Sequence, residues 1–290
     1  ACLQGCVANM YAGNPICCLT NPFLGHEAEP IAKTENPKKV MVIGGGVAGL
    51  CAAFIAKEKG HEVTLYEAGD VLGGNMRLAA YPPGKGDITN MIRSYIHRCQ
   101  KDGVKIVMNC EVTPELIKEE KPDSVIIATG SKTLILPIEG IDNPAIIHGS
   151  DLLDGKRPAG KKVLVVGGGM VGCETAAFLG EQEHDVTVIE FRDTVGADVI
   201  HEHRVYLMKD FEDYGIKEIT GAKVCKFYED GVEYETADGV RHETRGYDSV
   251  ILSMGFRNYN PLEEKIKDLV PETHVIGDAI RARRALDATK

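Results

Sequence analysis

Short, uniformly apolar runs alternate along this chain with stretches that have the spacing of helices. Val40–Ile43 is such a run, typical of a strand buried on both faces of a parallel sheet. A glycine cluster ends it, and the small residues of Ala48–Ala56 then predict a helix that packs closely on a sheet. His61–Glu67 returns as a second strand. A strand, a helix and a strand in about 30 residues predict a βαβ unit with a right-handed crossover.

This unit occurs twice. Lys38–Glu67 and Lys161–Glu190 align without gaps at a constant offset, since 161 − 38 = 123 and 190 − 67 = 123. A repeat found only twice at this distance does not indicate a solenoid. It predicts two domains of similar build.

The rest of the chain continues the alternation. We predict further strands at 104–109, 124–128, 221–227, 231–235, 249–253 and 274–276, and helices at 88–101 and 199–214. The strands at 221–227 and 231–235 predict a β-meander. The fold class that follows is α/β, with two Rossmann-like dinucleotide-binding domains.

Each repeat carries a phosphate-binding turn. Gly44-x-Gly46-x-x-Gly49 follows a predicted strand and opens a predicted helix, as a pyrophosphate site requires. Glu67 ends the second strand, 67 − 44 = 23 residues later, where a carboxylate accepts hydrogen bonds from ribose. Gly167, Gly169, Gly172 and Glu190 repeat the arrangement. One such turn could bind nothing, but two complete copies predict two dinucleotide sites.

The first site has further features that suit FAD. Leu72–Asn75 lies just beyond Glu67, Ala128–Gly130 ends a strand, and Gly277-Asp278 follows the last strand. The aspartate could accept a hydrogen bond from a ribityl hydroxyl. The candidate FAD-binding residues are Gly44, Gly46, Val47, Ala48, Gly49, Glu67, Ala68, Gly73, Gly74, Asn75, Arg77, Val112, Ala128, Thr129, Gly130, Gly277 and Asp278.

The second site is predicted to bind NADH or NADPH. Its candidate residues are Gly167, Gly169, Met170, Val171, Gly172, Glu190, Arg192 and Gly255. Glu190 would repel a 2′-phosphate and favours NADH, whereas Arg192 could pair with a 2′-phosphate. We favour NADH and leave NADPH open. Hydride transfer between two cofactors needs little acid–base help, so no catalytic side chain is assigned.

Charge and composition narrow the partners. The 290-residue chain has a net charge of −10 and a pI near 5.4, which disfavours nucleic-acid binding. No apolar run predicts a membrane span, and the amino terminus does not resemble a signal peptide. Nine cysteines without a secretory signal favour a reducing compartment, and we expect a cytoplasmic protein. The oligomeric state stays open, a homo-oligomer included.

Four cysteines, Cys2, Cys6, Cys17 and Cys18, lie near the amino terminus. Cys2, Cys6 and Cys18 are candidate ligands of an iron–sulfur cluster. Zinc is the competing metal, although a CxxC pair is missing, and unbound thiols in a loose tail are the alternative. The other five cysteines are scattered, so the sequence lacks the redox dithiol of a disulfide reductase.

The cysteine segment resembles a known family. Cys2-Leu3-Gln4-Gly5-Cys6, and the run from Cys18 through Asn21-Pro22 to Glu27, look like the junction segment of the 2,4-dienoyl-CoA reductase, enoate reductase and trimethylamine dehydrogenase family. The two glycine turns, Gly73-Gly74, Ala128–Gly130 and Gly277-Asp278 continue the resemblance in order. It covers almost the whole chain.

The resemblance implies a larger enzyme. Family members begin with an FMN-binding TIM barrel, followed by a 4Fe–4S cluster held by CxxCx3Cx11C, an FAD domain and an inserted NAD(P)H domain. Electrons would run from NAD(P)H through FAD, the cluster and FMN to an activated carbon–carbon double bond of an enoate or enoyl-CoA. Here the barrel and the first cluster ligand, three residues before Cys2, do not occur. We therefore expect the chain to be part of a longer polypeptide, with that barrel as its partner.

The implied domain organisation is discontinuous. Residues 1–35 would form the junction segment with the partial cysteine motif, 36–150 and 255–290 the FAD-binding domain, and 151–254 the NAD(P)H-binding domain. The favoured function is hydride transfer from NAD(P)H to FAD. The alternative is a non-catalytic module that holds ADP or FAD in a larger flavoprotein. A stand-alone ferredoxin or disulfide reductase is disfavoured by the missing dithiol.

Overall fold

The computed structural model describes residues 2–289 and is built from fifteen strands and eight α-helices within that range. Ala1 and Lys290, the outer ends of the predicted junction segment and FAD domain, lie outside the described residues. The strands are β1 (Lys39–Ile43), β2 (Glu62–Tyr66), β3 (Lys105–Val107), β4 (Ser124–Ile127), β5 (Ser131–Thr133), β6 (Ile147–His148), β7 (Lys162–Val166), β8 (Asp185–Ile189), β9 (Lys217–Ile219), β10 (Lys223–Tyr228), β11 (Gly231–Glu235), β12 (Arg241–Thr244), β13 (Ser249–Leu252), β14 (Phe256–Asn258) and β15 (Glu272–Val275).

Except for the first helix, which precedes the first strand, the helices lie in the connections between strands. They are α1 (Val7–Tyr11), α2 (Val47–Glu58), α3 (Asp87–Lys101), α4 (Pro114–Glu120), α5 (Gly149–Leu153), α6 (Met170–Glu181), α7 (His201–Asp213) and α8 (Glu263–Ile266). Among the described residues, no helix combines the length and the apolar character needed to cross a membrane.

Two five-stranded parallel sheets dominate the molecule, which confirms the predicted α/β fold. The first has the order β15-β4-β1-β2-β3 and the second the order β6-β13-β7-β8-β9. The two sheets share their register, since Lys39 pairs with Glu62 in the first and Lys162 with Asp185 in the second. The offset of 123 residues therefore extends from the sequence to the strand pairing.

One helix packs its buried side chains directly against each sheet. In the first sheet, Leu50 and Phe54 of α2 are fully buried against Val40 and Val42 of β1. In the second, Cys173 and Ala176 of α6 are fully buried against Val163. A separate antiparallel meander, β10-β11-β12, confirms the paired strands expected from the sequence, and β5 pairs with β14.

The chain divides into two compact units, and the first is discontinuous. Among the described residues it comprises 2–80, 86–132 and 257–289, and the second comprises 81–85 and 133–256. The predicted boundary at 150/151 is wrong, because β6 pairs with β13 of the second sheet. The predicted return at 255 differs from the observed one by two residues.

The amino-terminal segment packs on the first unit. Leu19 is buried, and its carbonyl accepts a hydrogen bond of 2.7 Å from the hydroxyl of Tyr95 on α3. The guanidinium of Arg98, one turn further along α3, stacks over the rings of Phe23 and Phe54, 5.0 and 4.3 Å from their centroids. Burial raises the pKa of Tyr95, so its hydroxyl remains a donor.

Removal of this hydroxyl should loosen the amino-terminal segment. Tyr95→Phe leaves the buried carbonyl of Leu19 without its donor, and we expect a loss of about 1–2 kcal/mol of unfolding free energy. Urea unfolding measures the loss, and hydrogen exchange should show faster exchange in residues 2–24. Tyr206→Phe is the control, because Tyr206 is 69% exposed. Equal effects of the two substitutions would contradict the docking role of Tyr95.

Candidate dinucleotide-binding sites

The first glycine turn brings two backbone segments into a contact that only glycine permits. Gly44 has φ +106°, and a Cβ there would lie 2.4 Å from the carbonyl oxygen of Ala128. A Cβ on Gly49 would lie 1.9 Å from the carbonyl oxygen of Gly44. The amino terminus of α2 is thereby fixed at the carboxyl end of β1, where its N–H groups can meet an anion.

The second turn has the same geometry. Gly167 has φ +105°, and its Cβ would lie 2.4 Å from the carbonyl oxygen of Ser253. A Cβ on Gly172 would lie 1.8 Å from the carbonyl oxygen of Gly167. These positions correspond one by one to those of the first turn, so each unit presents a helix amino terminus in the same way.

The carboxylate predicted to bind ribose is held identically in both units. Glu67 accepts hydrogen bonds from the backbone N–H groups of Gly45, at 2.7 Å, and Gly69, at 2.8 Å. Glu190 accepts from Gly168, at 2.5 Å, and Arg192, at 3.0 Å. Two N–H donors fix each carboxylate beside its glycine turn, where it can still accept from ribose hydroxyls.

A polar chain connects three segments of the first site. Asn75 donates from its side-chain nitrogen to the carbonyl oxygen of Ser131, at 3.1 Å. The hydroxyl of Ser131 donates to Asp278, at 3.0 Å, and the other carboxylate oxygen of Asp278 accepts from the N–H of Arg283. Ser131 was not among the predicted site residues. Its position directly after Ala128–Gly130 was the signal that could have identified it.

The remaining residues predicted for FAD occupy several different positions in the first unit. Gly73 and Gly74 lie beside the turn, where Gly73 forms a bridge with Gly46 and donates its N–H to Gly45. Thr129 donates its hydroxyl to the carbonyl oxygen of Tyr259 at 2.5 Å. The side chain of Val112 is buried in the same hydrophobic core cluster as Ile117, so it contributes to packing. Of the others, Val47 and Ala48 begin α2, Ala68 follows Glu67, Arg77 lies in a 3₁₀ turn at Gly74–Ala80, and Gly130 and Gly277 have positive φ.

The second site differs from the first at the start of its helix. The N–H of Met170, the first residue of α6, donates to the carboxylate of Asp198 at 2.9 Å. Val171 offers its carbonyl to the hydroxyl of Thr175, and Gly255 offers its carbonyl to the N–H of Leu134. Arg192 is exposed. Asp198 was missed, although the offset of 123 places it opposite Asn75.

The residues fit a dinucleotide at both turns. A Cβ on Gly46 would meet only the Cα of Gly74, at 4.0 Å, so the middle glycine of the first turn faces open space. At the second turn the nearest atoms to the corresponding position on Gly169 are those of the exposed Asp198 carboxylate. The first turn leaves room for a phosphate, and the second is covered only by a side chain that solvent can reach.

A buried ion pair includes Glu174, two residues beyond the last glycine of the second turn. Glu174 on α6 pairs with Lys85, which belongs to the short 81–85 excursion of the second unit. Their side chains are only 10% and 19% exposed. The two residues are 89 positions apart, and neither was predicted from the sequence.

The cysteines do not form a metal centre in the described part of the chain. Within residues 2–289, no three His, Cys, Asp or Glu side chains are grouped so that they could hold a metal ion. Cys2, Cys6 and Cys18 thus do not fit a cluster here, and their role as ligands stays a prediction. Burial raises the pKa of Cys51, Cys99 and Cys173 to about 12, so these thiols are protonated and inert at neutral pH.

The chain resembles known proteins over most of its length. The model of the family described as pyridine nucleotide-disulphide oxidoreductase matches residues 38–273. A metal reductase of Desulforamulus reducens is 31% identical over 99% of this chain and 48% of its own. An NADH oxidase of Thermoanaerobacter brockii is 33% identical over 99% of this chain and 45% of its own.

A solved structure agrees with these relatives. The 2-naphthoyl-CoA reductase in complex with 2-naphthoyl-CoA superposes with a TM-score of 0.93 and 33% identity, over 100% of this chain and 44% of its own. The chain therefore spans less than half the length of these matched proteins. Such matches bear out the family resemblance and the two-domain dinucleotide-binding fold expected from the sequence.

Separation of the buried ion pair should destabilise the second unit. Lys85→Met leaves the carboxylate of Glu174 buried without its partner. We expect a loss of about 3–5 kcal/mol of unfolding free energy, measured by urea unfolding. Lys217→Met is the matched control, because the Lys217–Asp185 pair is exposed and should contribute about 0–1 kcal/mol. In the double variant Lys85→Met/Glu174→Leu much of the loss should be recovered. A single variant as stable as the control would contradict the importance of the pair.

Proposed function

Because the chain belongs to the pyridine nucleotide-disulphide oxidoreductase family, we propose that its first site holds FAD, its second holds NADH, and hydride passes from NADH to FAD. At the coarser level it is an NAD(P)H-dependent flavoprotein oxidoreductase module. The observation that carries the proposal is the duplicated turn, with its fixed carboxylate, in both units.

In the first site, each group has a separate task. The N–H groups at the start of α2 would bind the pyrophosphate, since a helix amino terminus favours an anion. Glu67 would accept hydrogen bonds from the adenosine ribose. Asp278, held by Ser131 and the N–H of Arg283, is available to the ribityl chain. This set extends over all three segments of the discontinuous unit and favours a long dinucleotide such as FAD.

In the second site, the fixed Glu190 supports NADH over NADPH. Its carboxylate is held by Gly168 and Arg192 beside the turn. A 2′-phosphate would bring like charge to this carboxylate, whereas a 2′-hydroxyl can donate a hydrogen bond to it. Arg192 contributes its backbone N–H to this arrangement, and its exposed side chain is not needed for NADH.

The bound cofactors would supply the redox chemistry, with NADH as hydride donor and FAD as acceptor. The chain itself binds, orients and anchors them. Its buried thiols have high pKa values and take no part in the transfer. No side chain is assigned as general acid or base.

We also propose an onward step in a longer protein. The matched relatives are about twice as long as the chain, which supports a further domain that receives the electrons. An FMN barrel that reduces an activated carbon–carbon double bond, in an enoate or enoyl-CoA, is the acceptor that the family resemblance implies. The described cysteines do not fit an iron–sulfur cluster that could take part in this step.

An anaerobic titration tests the hydride transfer. FAD-loaded protein is titrated with NADH and, separately, with NADPH while the visible absorption band of the flavin is followed. We expect stoichiometric bleaching with NADH and weaker or slower bleaching with NADPH. Bound FAD that neither donor bleaches would overturn the proposal and leave a nucleotide-holding module.

The preference for NADH should depend on Glu190. Glu190→Gln removes the negative charge that opposes a 2′-phosphate and weakens the hydrogen bond to ribose. We expect the ratio of kcat/KM for NADH to that for NADPH to fall about tenfold or more, because the loss of a hydrogen bond to a charged group changes an equilibrium constant by about that factor.

The internal repeat provides the control for this variant. Glu67→Gln makes the same change at the equivalent position of the first site, and it should lower FAD retention with the donor preference unchanged in the loaded fraction. An unchanged preference in Glu190→Gln would show that Glu190 does not select the donor.

A further inference from the structure

The amino terminus of α6 is capped by a carboxylate from the chain itself. Asp198 accepts a hydrogen bond of 2.9 Å from the N–H of Met170. Both of its carboxylate oxygens also lie near Gly169, at 3.3 and 3.5 Å from where a Cβ would stand. The middle glycine of the second turn therefore faces an anion that belongs to the protein.

The first site has a different residue at the equivalent position. Since 198 − 123 = 75, the counterpart of Asp198 is Asn75. The surrounding loop corresponds as well, because Gly73 donates its N–H to the carbonyl of Gly45 just as Gly196 donates to Gly168. Asn75 is neutral, and its amide points to Ser131 instead. The two sites thus share a backbone and differ in the charge beside the phosphate-binding position.

A carboxylate and a pyrophosphate satisfy the same groups. The first N–H groups of a helix have no partner within the helix, and its dipole favours a negative charge there. A side-chain cap at such a position contributes roughly 0.5 to 2 kcal/mol, which corresponds to about a two- to thirtyfold change in an equilibrium constant. An incoming dinucleotide must displace this cap before its phosphates can use the same N–H groups.

We propose that Asp198 competes with the pyrophosphate of the nicotinamide dinucleotide for the start of α6, and so sets the affinity of the second site. This inference rests on the proposed function of that site. Asp198 lowers the affinity for a dinucleotide, whereas Asn75 leaves the first site without this competition. The outcome is a tightly held cofactor in one unit and an exchangeable one in the other.

The structure lets the carboxylate move aside. Asp198 is exposed, so it can rotate into water without being transferred from a buried environment. The loop before it is anchored independently, because Arg204 donates to the hydroxyl of Thr194 and the carbonyl of Val195. Displacement therefore needs a change in one side chain and leaves the loop in place.

The test compares three variants of the FAD-loaded protein. Asp198→Ala removes both the cap and its charge, and Asp198→Asn keeps a capping oxygen but removes the charge. Asp193→Asn, an exposed aspartate of the same loop, is the control for net charge. Calorimetry measures the Kd of ADP-ribose and of NADH. Adenosine, which lacks phosphates, is measured by displacement of ADP-ribose.

We expect Asp198→Ala to bind ADP-ribose and NADH about fivefold more tightly, within the two- to thirtyfold range of a cap, and to leave adenosine binding unchanged. Asp198→Asn should show a smaller gain. Without ligand, Asp198→Ala should melt about 2–4 °C lower, because α6 loses its cap. Asp193→Asn should bind these ligands as the wild type does.

The outcomes separate this inference from the proposed function. If the wild type binds NADH and Asp198→Ala binds it equally or more weakly, the competition by Asp198 is overturned while the function stands. A gain that also appears for adenosine, or in Asp193→Asn, would overturn it too. If neither the wild type nor Asp198→Ala binds NADH or ADP-ribose, the proposed second site is itself wrong.

Discussion

The close approach of two glycines in each turn is the constraint on which the rest of this structure depends. The carbonyl oxygen of Gly44 occupies the space that a side chain on Gly49 would fill, and Gly167 and Gly172 repeat the contact. Any larger residue would push the helix away from the sheet. The same contact aims the first N–H groups of each helix at the carboxyl end of its sheet, so packing and anion binding have a common cause. A change at Gly49 or Gly172 would therefore disturb stability and binding together.

The sequence predicted those parts of the fold that rest on local patterns. Buried strands such as β1 and β7 are uniformly apolar, and the constant offset reproduces their register. The predicted domain boundary at 150/151 was wrong for two reasons. Strand β6 has only two residues, too few to show a periodic sequence pattern, and its partner β13 lies about a hundred positions further along the chain. The Lys85–Glu174 pair had no sequence signal for the second of these reasons. Asp198 differs from these, because the repeat already placed it opposite Asn75.

The two sites show how one backbone can serve two binding tasks. Glu67 and Glu190 are held by equivalent N–H groups, so the two carboxylates proposed to bind ribose have the same local structure. The difference lies in what surrounds the phosphate position. In the first site Asn75, Ser131 and Asp278 link distant segments by neutral and charged hydrogen bonds. In the second, the carboxylate of Asp198 already accepts a hydrogen bond from the first N–H group of α6. Under the proposed function, the first arrangement favours a tightly held FAD, and the second favours an NADH that must dissociate.

The buried cysteines have an environment that does not suit redox chemistry. A disulfide reductase needs an accessible thiolate close to its flavin, and Cys51, Cys99 and Cys173 have the opposite environment. Desolvation raises their pKa to about 12, so they behave as small apolar residues in the cores of their own units, Cys51 and Cys99 in the first and Cys173 in the second. The proposed electron transfer therefore requires an acceptor other than these three buried thiols. The greater length of the matched reductases is consistent with such an acceptor on a further domain.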